Sequence, residues 1–185
     1  MACLGSWRPW NWEGSESLQP IFCKLFPGRE GRCSWKQEAP KLLEFPFEMR
    51  SDSVEQTAEL GARLAKVSRP GEVVLLDGDL GAGKTVFAKG FIESMPGGEG
   101  QIIRSPTFIY IHHYPTIPPA HHIDLYRLPK DLDLMETGLW DHIGESDIVL
   151  IEWPNHVEKW RFSVSTHVKF EIVGDESRHL YFYRP

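Results

Sequence analysis

The residues of this chain whose types and spacing could do chemistry fall into four groups. The first is Gly78-Asp79-Leu80-Gly81-Ala82-Gly83-Lys84-Thr85, a full match to the phosphate-loop pattern G-x-x-x-x-G-K-[ST]. In such a loop the glycines let backbone N–H groups turn inward around phosphate oxygens, at a closeness that a Cβ would obstruct. Lys84 would reach the β- and γ-phosphates, and the Thr85 hydroxyl would ligate Mg²⁺. The second group is Ser105-Pro106-Thr107-Phe108, where Thr107 occupies the kind of loop that nucleotide switches use to sense a γ-phosphate or its metal. The third is Asp124, near the end of His121-His122-Ile123-Asp124-Leu125-Tyr126-Arg127. The fourth is Glu152, which closes the apolar run Ile148-Val149-Leu150-Ile151 and precedes Trp153.

These groups need a scaffold that brings them to one edge, and the flanking sequence describes one. Val73-Val74-Leu75-Leu76 has the continuous β-branched and apolar character of a buried parallel strand, and Val86-Phe87-Ala88-Lys89-Gly90-Phe91-Ile92 reads as helix. Strand, glycine loop and helix follow in the order a phosphate loop requires, and the helix N-terminus would add its free N–H groups and positive dipole end. Residues 148–152 describe a second buried strand delivering a carboxylate to its C-terminal edge, where open α/β sheets bind ligands. Glu152 could ligate the metal or orient an attacking water. Trp153 is either core packing or a stacking surface beside the nucleotide.

The rest of the chain supplies further elements. Leu42 to Phe47 is expected to form an edge strand, with Pro46 where its missing donor breaks no ladder bond. Ser53 to Gln56 has the S-x-x-Q form of a capping box, followed by a helix whose small or apolar face is Val54, Ala58, Gly61, Leu64 and Ala65. Ile102-Ile103 is expected to begin a core strand running into Ser105–Phe108, with Ile109–Tyr114 as another strand. Residues 121–127 form a strand, and Lys130 to Asp141 a helix. Val168–Val173 and Arg178–Tyr183 read as a terminal hairpin around Gly174-Asp175-Glu176. His112, His113, His121 and His122 suggest a metal site only at first sight, because successive strand residues face opposite ways.

With 185 residues, 41% hydrophobic and 25% charged, the chain suits one α/β domain. A net charge of −6 argues against gripping nucleic acid through bulk electrostatics. Cys3, Cys23 and Cys33 fit no common zinc spacing. No apolar run is long enough to cross a bilayer, so no membrane association is expected. Residues 1–38, with Trp7, Trp10, Trp12 and Trp35 and no sustained period, read as a flexible extension preceding a domain over 39–185. They lack the apolar core of a secretory signal. The expectation is a cytoplasmic protein, with a plastid or mitochondrion as the alternative if the extension is a transit peptide.

The ordered set Gly78–Thr85, Ser105-Pro106-Thr107-Phe108, His122-Ile123-Asp124-Leu125-Tyr126-Arg127-Leu128 and Glu152-Trp153-Pro154 resembles the TsaE (YjeE) family, over about residues 40 to 183. The resemblance implies a single P-loop NTPase-like α/β domain, with a mostly parallel central sheet flanked by helices and a C-terminal β-hairpin. It implies an ATPase needed to form N6-threonylcarbamoyladenosine at position 37 of tRNAs reading ANN codons, acting with TsaB and TsaD. Lys84 would then bind phosphate, Thr85 and Glu152 would hold Mg²⁺, and Asp124 and Thr107 would belong to the catalytic region. ATP rather than another nucleotide also rests on the resemblance, as does contact with tRNA mainly through the partners. The nucleotide contacts would be Gly78 through Val86, with Trp153 beside them.

One position departs from the family pattern: Val86 stands where a second hydroxyl residue is usual. The lost hydrogen bond to the α-phosphate would cost roughly 0.5–1.5 kcal/mol. For hydrolysis of the β–γ bond, the expectation is that Asp124 positions the water while Glu152 serves the metal. Two rivals stand beside this reading: a small-molecule kinase, for which no compact Arg-rich lid is visible, and a nucleotide-gated binding module whose hydrolysis is incidental.

Overall fold

The computed structural model describes residues 45–128, 138, 141, 143–154 and 164–185. The expected extension over 1–38, and nearly all of the helix expected over 130–141, lie outside them. The described residues belong to one compact unit, Pro40–Pro185. They form strands β1 (Phe47–Ser51), β2 (Val73–Asp77), β3 (Ile111–Tyr114), β4 (Ala120–Asp124), β5 (Ile148–Glu152), β6 (Thr166–Ile172) and β7 (Arg178–Tyr183). Two helices, α1 (Val54–Ala65) and α2 (Lys84–Glu93), complete the described elements.

The seven strands make one sheet in the order β1-β7-β6-β2-β5-β4-β3. The ladders joining β6, β2, β5 and β4 are parallel. β7 and β1 at one edge and β3 at the other are joined by antiparallel ladders. The expected terminal hairpin forms as β6–β7, and the sheet order places it directly beside β2.

Every residue of β4 and β5 and the first four of β2 are buried. Strands covered on both faces need continuous apolar character, which is why their sequences do not alternate. Val74, Leu76, Leu150 and Val168 join Leu60 and Leu64 of α1 and Phe87 and Phe91 of α2 in one core layer. Val73, Leu75, Ile123, Val149 and Ile151 form the layer on the opposite face, against which Ile111, Leu128, Ile143, Trp153 and Val164 pack. α1 and α2 meet backbone to backbone: a Cβ on Gly90 would overlap the Ala58 carbonyl, and one on Gly61 the Phe87 carbonyl.

The Ser53 cap forms as expected, its hydroxyl accepting from Gln56 N at 3.2 Å, while the Gln56 side chain accepts from Asp52 N. Other expectations need correction. Of the edge strand expected over Leu42 to Phe47, residues 42–44 lie outside the described residues, and pairing with β7 runs from Phe47 onward, after Pro46. The buried face of α1 is Thr57, Leu60, Gly61 and Leu64; Val54, in the first turn, is 62% exposed and lines an open cavity. Residues 101–110 contain no strand. Pro106 cannot donate to a ladder, and its carbonyl instead accepts from Ile109 N and Tyr110 N, closing a turn that delays β3 to Ile111. β4 stops at Asp124, so Leu125–Arg127 lie beyond it.

Candidate active site

β2 ends at Asp77, and the glycine loop carries the chain from it into α2. Gly81 and Gly83 have φ of 79° and 98°, a region that residues with a Cβ adopt only at a cost. Gly78 is required for a different reason: a Cβ there would lie 2.8 Å from both the Cβ and the carbonyl oxygen of Phe170 on β6. Gly83 is the N-cap of α2 and supplies no side-chain cap. The first N–H groups of α2 thus lack intrahelical acceptors and combine with the helix dipole into an anion site.

Lys84, the first residue of α2, is only 4% exposed. Its Nζ donates to the carbonyls of Gly78 at 2.6 Å and Asp79 at 2.8 Å, and lies 3.8 Å from the centroid of the Trp153 ring. Burial lowers its pKa from the usual lysine value, opposed by the carboxylates of Glu152, Asp124, Asp77 and Asp79.

Thr85 follows, and its Oγ1 donates to Glu152 Oε1 at 2.8 Å. The sheet register makes this contact possible. Glu152 pairs with Leu76 of β2 on one side and with Asp124 of β4 on the other, so both acids end their strands at the level where the loop starts. Glu152 Oε1 also accepts from His122 Nε2 at 2.8 Å. Asp124 Oδ2 accepts from Ser105 Oγ and Thr107 Oγ1, each at 2.6 Å, and its Oδ1 accepts from Tyr126 N at 2.9 Å. The carboxylate ties the 105–107 loop to the end of β4.

The structure thus brings Lys84, Thr85, Glu152 and Trp153 together and gathers Thr107 on Asp124. Trp153 packs on one core layer, the first of the two roles weighed from sequence, and its ring faces Lys84. Asp79, Leu80 and Gly81 are the exposed crest of the loop, whereas Ala82 is buried with its N–H turned onto Asp79 O. Val86 lines a cavity of about 170 Å³ with Ser53, Thr57, Gly83, Asp175 and Arg178. The four histidines divide among separate contacts: His121 bonds Asp147 and His113, His122 bonds Glu152, and the His112 ring stacks with Tyr114.

Sequence reasoning missed three residues here. Ser105 shares Asp124 with Thr107 and was visible in the same triplet. His122 was obscured by its neighbour His121, because only the strand register shows which of the two faces the loop. Arg178 donates to the Gly81 carbonyl at 3.2 Å across 97 residues, a contact with no local signal.

These donors suit a phosphate chain and a hard divalent cation. An uncapped helix N-terminus, a buried ammonium, and a hydroxyl touching a carboxylate supply N–H donors for phosphate and oxygen ligands of the kind Mg²⁺ prefers. The Thr85 hydroxyl and Glu152 carboxylate would hold the cation, while Lys84 and the loop amides would hold phosphate.

Comparison with known proteins gives the family. Residues 51–180 match the family model described as threonylcarbamoyl adenosine biosynthesis protein TsaE. Proteins named tRNA threonylcarbamoyladenosine biosynthesis protein TsaE are similar over much of this chain. That of Bacillus subtilis is 33% identical over 72% of this chain and 82% of its own. That of Aquifex aeolicus is 34% identical over 77% of this chain and 99% of its own. The crystal structure of YdiB from Bacillus subtilis superposes with a TM-score of 0.61 at 27% identity, covering 76% of this chain and 86% of YdiB. With the match spanning the glycine loop, both strand-end acids and the strands that carry them, this chain belongs to the TsaE family.

Proposed function

We propose that this chain binds and hydrolyses ATP with Mg²⁺ to support formation of N6-threonylcarbamoyladenosine on tRNA, together with TsaB-like and TsaD-like partners. The observation that carries this reading is the 2.8 Å contact of Thr85 Oγ1 with Glu152 Oε1 at the mouth of the glycine loop. The names of the relatives supply the pathway. Bound Mg²⁺ would neutralise charge on the β- and γ-oxygens.

Lys84 exchanges its two carbonyl partners for phosphate oxygens, and with the loop amides stabilises charge on the transferred phosphoryl group. Asp124, with Ser105 and Thr107 anchored on its carboxylate, positions the attacking water. The cavity beside Val86 receives the nucleoside. A net charge of −6 fits tRNA being held mainly by the partners.

This reading puts the chain in the cytoplasm, off the membrane, or in a plastid or mitochondrion if residues 1–38 direct it there. Among the described residues no helix is long and apolar enough to cross a membrane. A fluorescent fusion with and without residues 1–38 decides the compartment.

The functional test is tRNA modification reconstituted with both partners, supplied with ATP or with a non-hydrolysable analogue. Modification is expected with ATP alone. Equal modification with the analogue would make the chain a nucleotide-gated binding module instead.

A further inference from the structure

His122 is completely buried, and its contact with Glu152 is the closest support that carboxylate receives from outside the glycine loop and α2. The Glu152 side chain is itself only 4% exposed. A carboxylate oxygen accepts, so the imidazole donates through Nε2–H, at 2.8 Å to Oε1. Nδ1 is buried and has no hydrogen-bond partner among the described residues. The ring's one hydrogen bond here is therefore the one to Glu152. A buried polar ring left half-satisfied is costly when packing is its only task.

Oε1 receives two donors, His122 Nε2 from the neighbouring strand and Thr85 Oγ1 from α2. The first holds the carboxylate in place, and the second is the group expected to share a cation with it. The backbone makes the same connection: His122 pairs with Leu150 and Asp124 pairs with Glu152 in the β4–β5 ladder. The ring thus approaches the carboxylate from two residues back along the adjacent strand. Ligating carboxylates are commonly fixed by such outer hydrogen bonds, whose loss typically lowers metal affinity about 10–100-fold.

We infer that His122 is a positioning residue for the divalent cation, holding the Glu152 carboxylate against the Thr85 hydroxyl so that the cation-binding pair is formed before nucleotide arrives. The inference rests on the proposed Mg²⁺ role of Thr85 and Glu152. It assigns His122 no contact with substrate and no proton transfer.

The test uses the full chain and two separate binding measurements. A fluorescent ADP analogue titrated in EDTA reads phosphate and nucleoside binding without metal. Mn²⁺ titrated into the ADP complex, followed by the loss of its free-ion electron paramagnetic signal, reads cation affinity. His122→Leu should lower Mn²⁺ affinity at least about tenfold. Metal-free ADP affinity should stay within about twofold of wild type. His122→Gln, whose side-chain amide can donate from the position of Nε2, should recover most of the cation affinity. Glu152→Gln serves as the reference for loss of the ligand itself.

Wild-type Mn²⁺ affinity in His122→Leu beside a loss in Glu152→Gln would overturn the inference while leaving the metal assignment standing. Equal losses of metal-free and metal-dependent binding in both His122 variants would reduce His122 to a packing residue and also overturn it. Wild-type Mn²⁺ affinity in Glu152→Gln would remove the metal assignment on which it rests.

Discussion

The Lys84 ammonium lies 3.8 Å from the centroid of the Trp153 ring, although the two residues are 69 positions apart in sequence. Trp153 takes φ of 57°, uncommon for a bulky side chain, in the turn that follows Glu152 at the end of β5. One strand end therefore sends its carboxylate to Thr85 and its indole to Lys84. A cation–π contact of this kind is worth roughly 0.5–2 kcal/mol. Trp153→Ala is expected to weaken ATP binding several-fold in calorimetric titration, while Trp153→Phe, which keeps a ring face, changes it little. Equal affinity in the alanine variant would remove Trp153 from the site.

Burial of Lys84 gives a pH dependence with a defined sign. Its folded-state pKa is lowered, so between that lowered value and the ordinary lysine value of 10.5 the unfolded chain binds more protons than the folded one. Stability from this residue therefore rises with pH across that window. Relative to Lys84→Met, the wild type is expected to gain urea resistance as the pH rises towards 10.5. A constant difference between the two proteins would show that burial does not disfavour the charge.

Gly90 sets the distance between α1 and α2, because its missing Cβ makes room for the Ala58 carbonyl. Gly90→Ala must push the helices apart, at about 1–3 kcal/mol for overpacking of this type. Since α2 begins at Lys84, the displacement also reaches the loop. Urea denaturation should show the loss of stability, and ADP affinity should fall with it. An alanine variant as stable as wild type would contradict the close helix contact.

Arg178 joins the terminal hairpin to the loop, through Nη2 on Gly81 O and Nη1 on the carbonyls of Gly174 and Asp175. These bonds are largely exposed, so Arg178→Ala is expected to cost no more than about 1 kcal/mol of stability. It lines the cavity beside Val86. The same variant should therefore weaken ADP binding several-fold and leave competition by inorganic pyrophosphate unchanged. Equal weakening of both ligands would move the role of Arg178 from the nucleoside side to the phosphate loop as a whole.

Much of the site was legible because its chemistry is carried by local patterns. The glycine loop, the buried strand ending in Glu152 and the acid at 124 can each be read from a few consecutive residues, and the sheet register then sets them level. What escaped reading depends on contacts distant in sequence. Ser105–Phe108 looks extended and apolar enough for a strand, yet Asp124 draws Ser105 and Thr107 into a loop at the end of β4. The choice between His121 and His122 turns on a one-residue register that no local periodicity fixes. Arg178 belongs to a strand whose sequence says nothing of the loop it meets.

The most direct measurement is steady-state ATP turnover by the full chain, alone and with TsaB-like and TsaD-like partners and tRNA, for wild type beside Lys84→Ala. Turnover that is slow alone, rises with the complete assembly and disappears in Lys84→Ala is the expected result. Tight nucleotide binding without any partner-stimulated turnover, or turnover that survives loss of Lys84, would contradict an ATPase coupled to tRNA modification at this loop.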